Sequence, residues 1–355
     1  MSPVGMAVIG TGYMGRTYAA CLTRHVPDGR LVSVWGGKRA PALAEEFGVE
    51  ADESYEALLA RPDVEAVVIT SPHTAHRPQA EAAAAAGKHV YIEKPMSVSV
   101  ADCDAIIAAC DAAGVKLTVN FVTRFRHAPK AMKRLVDEGA IGDIRIIEMK
   151  GTWVGFFLKD VIDEATGRVI IPAKLWAQDP AEGSQFLDYG VHEADALRWL
   201  TGAEVARVYA EYHTFGTPPP PDLTAQVQLT MTNGVMATVL MTYETPAPGL
   251  EPNDWTRVIG SSGIIEADHY GKVRLGDADG WRLADEQVAF NFLGDYLDPN
   301  RLEGFAAQVQ DFAEAIQDGR DPVVTGADGR AAVEVVEAAD RSAATHQAVT
   351  LPHGG

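Results

Sequence analysis

The chain has 355 residues, more than one hydrophobic core usually holds, so two domains are expected. With 47% hydrophobic and 22% charged residues and no repetitive tract, it has the makeup of a globular protein, and a net charge of −19 speaks against a nucleic-acid or membrane-surface partner. No run approaches the roughly 18 apolar residues of a membrane span, and MSPVGMAVIG lacks the basic stretch and apolar run of a secretory leader, so a cytoplasmic location is expected.

Residues 6–9 form an apolar run that breaks into GTGYMG and then into a helix-compatible stretch over 16–24. Strands are predicted over 31–35, 64–70, 90–92 and 116–120, with helices over 40–47, 79–86 and 102–113 between them. This alternation argues for a doubly wound parallel sheet, a Rossmann domain over 1–124. A helix over 129–138 follows, and then the texture changes. Segments 144–150, 205–212, 223–230, 235–242 and 257–259 are rich in Val, Ile, Thr and Tyr, and Asn233-Gly234 is a tight hairpin signal. Helices over 188–200 and 302–317 complete an α+β domain over 125–355, with an open, mostly antiparallel sheet and helices on one face. The PPPP run at 218–221 reads as a rigid surface turn. Cys21, Cys103 and Cys110 show no metal-ligand spacing. Cys103 and Cys110, seven apart on one helix face, read as packing residues, and no metal is expected.

Three constellations carry chemistry. Gly10-x-Gly12-x-x-Gly15 lies between a strand and a helix, where glycine permits a sharp turn and close approach of a pyrophosphate to the helix N-terminus. Tyr13 and Met14, inside this loop, join the candidate cofactor contacts. At the end of the second strand, where an NAD site normally carries a carboxylate for the ribose, the chain reads Trp35-Gly36-Gly37-Lys38-Arg39. Lys38 and Arg39 would tolerate a 2′-phosphate, which leaves NAD or NADP open; alternatively, they only begin a solvated helix. Glu93-Lys94-Pro95 follows the fourth strand at the carboxyl edge, where a lysine can reach a substrate hydroxyl and steady a developing alkoxide. Asp188 and His192, four apart, share one face of a predicted helix, and an imidazole titrates in the range needed to take a hydroxyl proton. A surface lysine, a capping aspartate and a packed histidine are the plainer readings of these two motifs.

Taken together, the chain resembles the Gfo/Idh/MocA oxidoreductases, sugar and cyclitol dehydrogenases that include inositol dehydrogenase and glucose-fructose oxidoreductase. The resemblance runs from AVIGTGYMG through VVITSPHTAH, GKHVYIEKPMSVSV and SQFLDYGVHEADALRWLTG to VIGSSGIIEAD and the tail from Phe312. It implies that Lys94 contacts substrate and cofactor ribose, that Asp188 hydrogen-bonds substrate and that His192 is the acid/base. It further implies that Ser71, His73 and His76 line the loop near the cofactor and that Glu93 and Pro95 hold the Lys94 turn. Asn120 and Arg124 stand where the chain crosses between lobes, as candidate substrate contacts. The implied activity is reversible NAD(P)-linked oxidation of a hydroxyl of a sugar, cyclitol or related polyol, in a homodimer or homotetramer. Two alternatives stay open: a tightly held nicotinamide used in sugar-to-sugar oxidoreduction or oxidation-elimination glycoside cleavage, and a non-enzymatic nucleotide sensor. The stretch 153–185 fits no single subfamily; in it Trp153, Phe156 and Trp176 would stack on a sugar ring or pack in the core.

Overall fold

Val4–Ile9 (β1) is buried along its whole length, as a strand covered by helices on both faces must be, and this explains its unbroken apolar sequence. In the computed structural model, which describes residues 2–154, 160–162, 167, 169–171, 179–216, 222–290 and 294–352, β1 is central to a six-stranded sheet. The other strands are β2 (Gly29–Trp35), β3 (Glu50–Ala51), β4 (Ala66–Ile69), β5 (His89–Ile92) and β6 (Leu117–Val119). Between them run α1 (Tyr13–Arg24), α2 (Ala40–Phe47), α3 (Tyr55–Leu59), α4 (His73–Ala85) and α5 (Val100–Ala113). All pairings are parallel, and the order β3-β2-β1-β4-β5-β6 is that of a dinucleotide-binding sheet.

After α6 (His127–Asp137) come β7 (Ile144–Thr152), the short hairpin β8 (Val161–Ile162) and β9 (Val169–Ile171), and α7 (Gln185–Thr201). Then follow β10 (Val205–His213), β11 (Thr224–Met231), β12 (Met236–Thr242), β13 (Asp254–Gly260), β14 (Ile264–Asp268), β15 (Lys272–Asp277) and β16 (Gly280–Glu286). The chain closes with α8 (Pro299–Asp318), α9 (Gly326–Thr345) and β17 (Val349–Thr350). Among the described residues the second sheet has nine strands, β16-β15-β14-β13-β7-β12-β11-β10-β17, antiparallel except where β7 meets β12. One face of this sheet is buried and the other is open, with Met236 56% exposed on β12 against 2% for its neighbour Ala237.

The molecule divides into two compact units, residues 1–122 with 297–333, and residues 123–296 with 334–355. A single cut after 124 therefore differs from the structure, because α8 and the start of α9 return to the first sheet. The returning segment covers β6, the edge strand of the first sheet. Gln308 of α8 donates to the Val119 carbonyl at 2.7 Å, and Thr118 donates to the Val324 carbonyl at 2.7 Å. Gly329 of α9 lies so close to β6 that a Cβ there would stand 2.6 Å from Val119.

Two further details depart from the sequence reading. Helix α4 begins at His73, ahead of Pro78, and not after it. Helix α3 and the strands β15 and β16 were not foreseen; β16 is exposed along most of its length and carries no alternation to read. The PPPP run, Phe156 and Trp176 lie outside the described residues. Cys103 and Cys110 are buried on α5 with Ile106, as packing side chains. No helix among the described residues is long and apolar enough to cross a membrane.

Candidate active site

The glycine loop of the first unit has a distinct reason for each glycine. Gly10 has φ +93° and lies against Thr70, whose backbone a Cβ would approach to 2.8 Å. A Cβ at Gly15 would fall 2.0 Å from the Gly10 carbonyl, so helix and loop touch. At Gly12, the N-cap of α1, a Cβ would meet nothing within 4 Å, so protein packing does not demand glycine there and the space above the loop is open to a ligand. No side chain caps α1 and its first turn has no acid, so its amide donors and positive end suit a diphosphate. These residues fit a dinucleotide. Tyr13 and Met14, half-buried, follow at the start of α1.

At the end of β2, Trp35 stacks on Tyr55 with centroids 5.1 Å apart, and Thr11 donates to the Gly36 carbonyl at 2.6 Å. Lys38 and Arg39 follow on the surface, both exposed.

The Lys94 turn is held from below by a buried carboxylate. Glu93 Oε1 accepts from the Tyr18 hydroxyl and the Asn120 amide, each at 2.7 Å, while Oε2 accepts the Lys94 backbone N–H at 3.0 Å. Tyr91 donates to Asn120 Oδ1 at 3.2 Å. Burial, and then the Glu93 charge, push the Tyr18 phenol far above its ordinary pKa, so it stays a donor. Glu93 and Asn120 are thus engaged beneath the turn, and Asn120, expected as a substrate contact, is a buried support. Lys94 itself is half-buried, next to the cis Lys94–Pro95 peptide.

His76 is corrected in the same way. Because α4 starts at His73, the ring of His76 turns inward and is fully buried, between the carbonyls of Pro95 at 3.0 Å and Ser71 at 2.9 Å. Burial lowers its pKa to about 4, so it is neutral and ties the Ser71 loop to the Lys94 turn. Ser71 donates to Gln79 at 2.6 Å, and the half-buried His73 packs its ring edge-on against His76.

In the second unit α7 is the carrier. Its start is anchored three times: Ser184 accepts the Leu187 N–H at 3.1 Å and donates to Asp340 at 3.0 Å, and Asp222 accepts the Gln185 N–H at 2.6 Å. From Gln185 to Leu197 every residue is buried except Asp188 and His192, which are half-open. One turn apart, they share a face. Asp188 lies near enough to Tyr243 for its charge, after burial, to push that phenol up. Trp153 stacks on Tyr243 at 5.1 Å and packs edge-to-face with Tyr189 at 5.1 Å, beside this face.

Two buried acids hold α7 from behind. Asp195, fully buried, receives a fork from Arg124, Nε to Oδ2 at 2.9 Å and Nη2 to Oδ1 at 2.5 Å. Arg124, expected to meet substrate, is held against the helix through Nε and Nη2. Glu193 is buried against Asp254, His269 and Arg126; His269 stands 3.0 Å from Asp254 and Arg126 3.8 Å from it. Burial, then the Asp254 charge, push Glu193 up to about 7, whereas the His269 and Arg126 charges hold Asp254 below its ordinary range.

The structure therefore groups Glu93, Lys94, Pro95, His76 and Asn120 in the first unit, and Asp188, His192, Trp153 and Arg124 in the second. Sequence reading missed Tyr18, Asp195 and Glu193. Asp195 carried a signal in its spacing three residues after His192; Tyr18 and Glu193 carried none, since one-chain patterning cannot say which polar residue faces inward.

Residues 4–121 match the family model described as "Oxidoreductase family, NAD-binding Rossmann fold", and residues 130–266 match "GFO/IDH/MocA C-terminal domain". The chain is 29% identical to a myo-inositol 2-dehydrogenase of Thermotoga maritima, over 98% of each chain. It is 28% identical to a scyllo-inositol 2-dehydrogenase (NAD(+)) of Bacillus subtilis, over 96% of this chain and 94% of that one. An aldose-aldose oxidoreductase of Caulobacter crescentus, crystallised with glycerol, superposes with a TM-score of 0.82 at 28% identity, covering 98% of this chain and all of the other.

The Glu193 shift gives a stability prediction. A carboxyl whose folded pKa lies above its unfolded value contributes stability below the unfolded pKa and loses it as pH rises through the folded one, here from about 4.5 to about 7. Glu193→Gln, neutral at every pH, is expected to melt with wild type at pH near 4.5 and several degrees above it at pH near 8, since ~1 kcal/mol moves Tm by about 2–4 °C at 150–250 residues. Scanning calorimetry at the two pH values checks this; a Glu193→Gln variant that melts below wild type at the alkaline pH contradicts it.

Proposed function

We propose, for a chain that belongs to the Gfo/Idh/MocA family of NAD-binding oxidoreductases, that it reversibly oxidises a hydroxyl of a sugar, cyclitol or related polyol to the ketone. The observation that carries this reading is the pair Asp188 and His192, the two half-open positions along an otherwise closed stretch of α7. The inositol dehydrogenases among its relatives support the substrate class. When bound, the nicotinamide supplies the hydride acceptor. The chain's own residues do the rest: a ring nitrogen of His192 takes the hydroxyl proton, the Asp188 carboxylate orients the substrate, and the Lys94 ammonium steadies the oxygen as negative charge develops. With Glu193 and Asp195 held inside, α7 presents Asp188 and His192 with little freedom, as general acid/base chemistry requires.

The aldose-aldose oxidoreductase neighbour favours a second reading, in which a retained nicotinamide oxidises one sugar and reduces another. The absorbance band of reduced nicotinamide in the purified chain, without added cofactor, would support it.

The open sheet face supports a homodimer or homotetramer built from second copies of the chain. The strand register lines up Met236, Ile146, Ile259 and Ile264 as an apolar row, beside Glu148, Arg257, Glu266 and Arg274, which alternate in sign with ion pairs of 2.9, 2.7 and 3.6 Å. A ladder of alternating charge is self-complementary under two-fold symmetry.

His192→Ala is expected to lower turnover by about 10²- to 10⁴-fold while NAD titration is unchanged; wild-type turnover in an assay over inositols and aldoses removes His192 from the mechanism. With exposed Lys38 and Arg39 where a ribose-binding carboxylate would stand, fluorescence titration is expected to give tighter binding of NADP than of NAD; equal or weaker NADP binding contradicts this. Sedimentation is expected to show a dimer or larger, which Met236→Lys weakens, and a monomeric wild type refutes the sheet-face assembly.

A further inference from the structure

Trp35, the last residue of β2, is half-buried, whereas the three residues before it are buried. Two hydrogen bonds tie its backbone to the glycine loop. The Gly10 N–H donates to the Trp35 carbonyl at 2.8 Å, and the Thr11 hydroxyl donates to the Gly36 carbonyl at 2.6 Å. Behind the indole lies Tyr55 of α3, its ring inclined by 24° and its centroid 5.1 Å away. Tyr55 is buried, and its hydroxyl donates to the Gln79 carbonyl of α4 at 2.6 Å. Gln79 Oε1 in turn accepts from Ser71, just after β4, at 2.6 Å. The stack therefore reaches from the end of β2 to the loop after β4, the two segments on either side of the glycine loop after β1 in this strand order.

This setting suits a second planar partner. In a dinucleotide-binding sheet the residue that ends the second strand stands at the adenosine half of the ligand, where a carboxylate normally accepts from the ribose. Residues 35–39, WGGKR, contain no carboxylate, so affinity for that half has to come from another kind of contact. Gly36 and Gly37, with φ +103° and +74°, turn the chain away from β2 and place no side chain over the indole. A tryptophan backed by a fixed ring loses little freedom when a planar ligand meets it, and a purine offers a π-face of comparable size. Stacking of this kind is also insensitive to the net charge of −19, which opposes an anionic ligand.

We propose that Trp35 is the adenine platform of the dinucleotide site: the purine stacks on the half-open indole, and Tyr55 supports the indole from behind. The contact takes over at the adenosine half what a ribose-binding carboxylate does elsewhere, and it recognises the base and not the 2′ position, so it serves NAD and NADP alike. The inference rests on dinucleotide binding alone and is independent of the role of His192.

Titration calorimetry of the full chain with ADP-ribose and with reduced nicotinamide mononucleotide separates the two halves of the cofactor. Trp35→Leu, which keeps an apolar side chain against Tyr55, is expected to weaken ADP-ribose about tenfold and to leave the mononucleotide unchanged. Trp35→Tyr, which keeps a ring, is expected to stay within about threefold of wild type for both ligands. ADP-ribose binding to Trp35→Leu at wild-type strength, or an equal loss of both ligands, overturns the proposal and makes Trp35 a packing partner of Tyr55. Tryptophan emission gives a second measurement that does not need the leucine variant to fold. Of the six tryptophans in the chain, Trp35 is the one expected to be quenched by a stacked adenine, so ADP-ribose quenches wild type and leaves the emission of Trp35→Tyr unchanged. The absence of a quench in wild type, or an equal quench in Trp35→Tyr, overturns the proposal.

Discussion

A carboxylate removed from water must be given donors, and Glu93 imposes that condition on the whole first unit. It takes a hydroxyl from α1 through Tyr18, an amide from the end of β6 through Asn120, and the backbone N–H of Lys94. Each of the three comes from a different element, so the single group fixes how the first helix, the fifth strand's turn and the sixth strand meet. An unpaired buried carboxylate would be prohibitively unfavourable. Lys94 is presented because Glu93 is satisfied beneath it, and His76, pinned between Ser71 and Pro95, closes the same turn from the other side.

The second unit uses the same physics on a helix. α7 turns two acids, Glu193 and Asp195, toward the interior and keeps Asp188 on its half-open side, while Asp222 and Asp340 from other elements hold its start. Asp195 is matched by the Arg124 fork. Glu193 has a weaker setting beside Asp254, which favours its protonated form. Buried charge here serves orientation more than stability, because replacing such pairs by apolar residues is often neutral or stabilising.

The cofactor loop shows the complementary case. Gly10 and Gly15 are explained by protein contacts, whereas at Gly12 a Cβ would meet nothing within 4 Å and no side chain caps α1. Features that the chain's own packing does not account for are where binding free energy is held.

Much was legible from residues in order. Hydrophobic runs and their alternation determined a parallel sheet followed by a mostly antiparallel one, and GxGxxG, Glu93-Lys94-Pro95 and the four-residue step from Asp188 to His192 identified the segments that carry the chemistry. Those signals are local, set by backbone geometry within a few residues. Tertiary structure alone decided that Asn120, His76 and Arg124 face inward to hold other groups, and that Tyr18, Asp195 and Glu193 matter. Whether a polar side chain meets a ligand or a buried partner depends on which distant segment lies opposite, as when Gln308 of α8 meets the Val119 carbonyl 189 residues earlier in the chain.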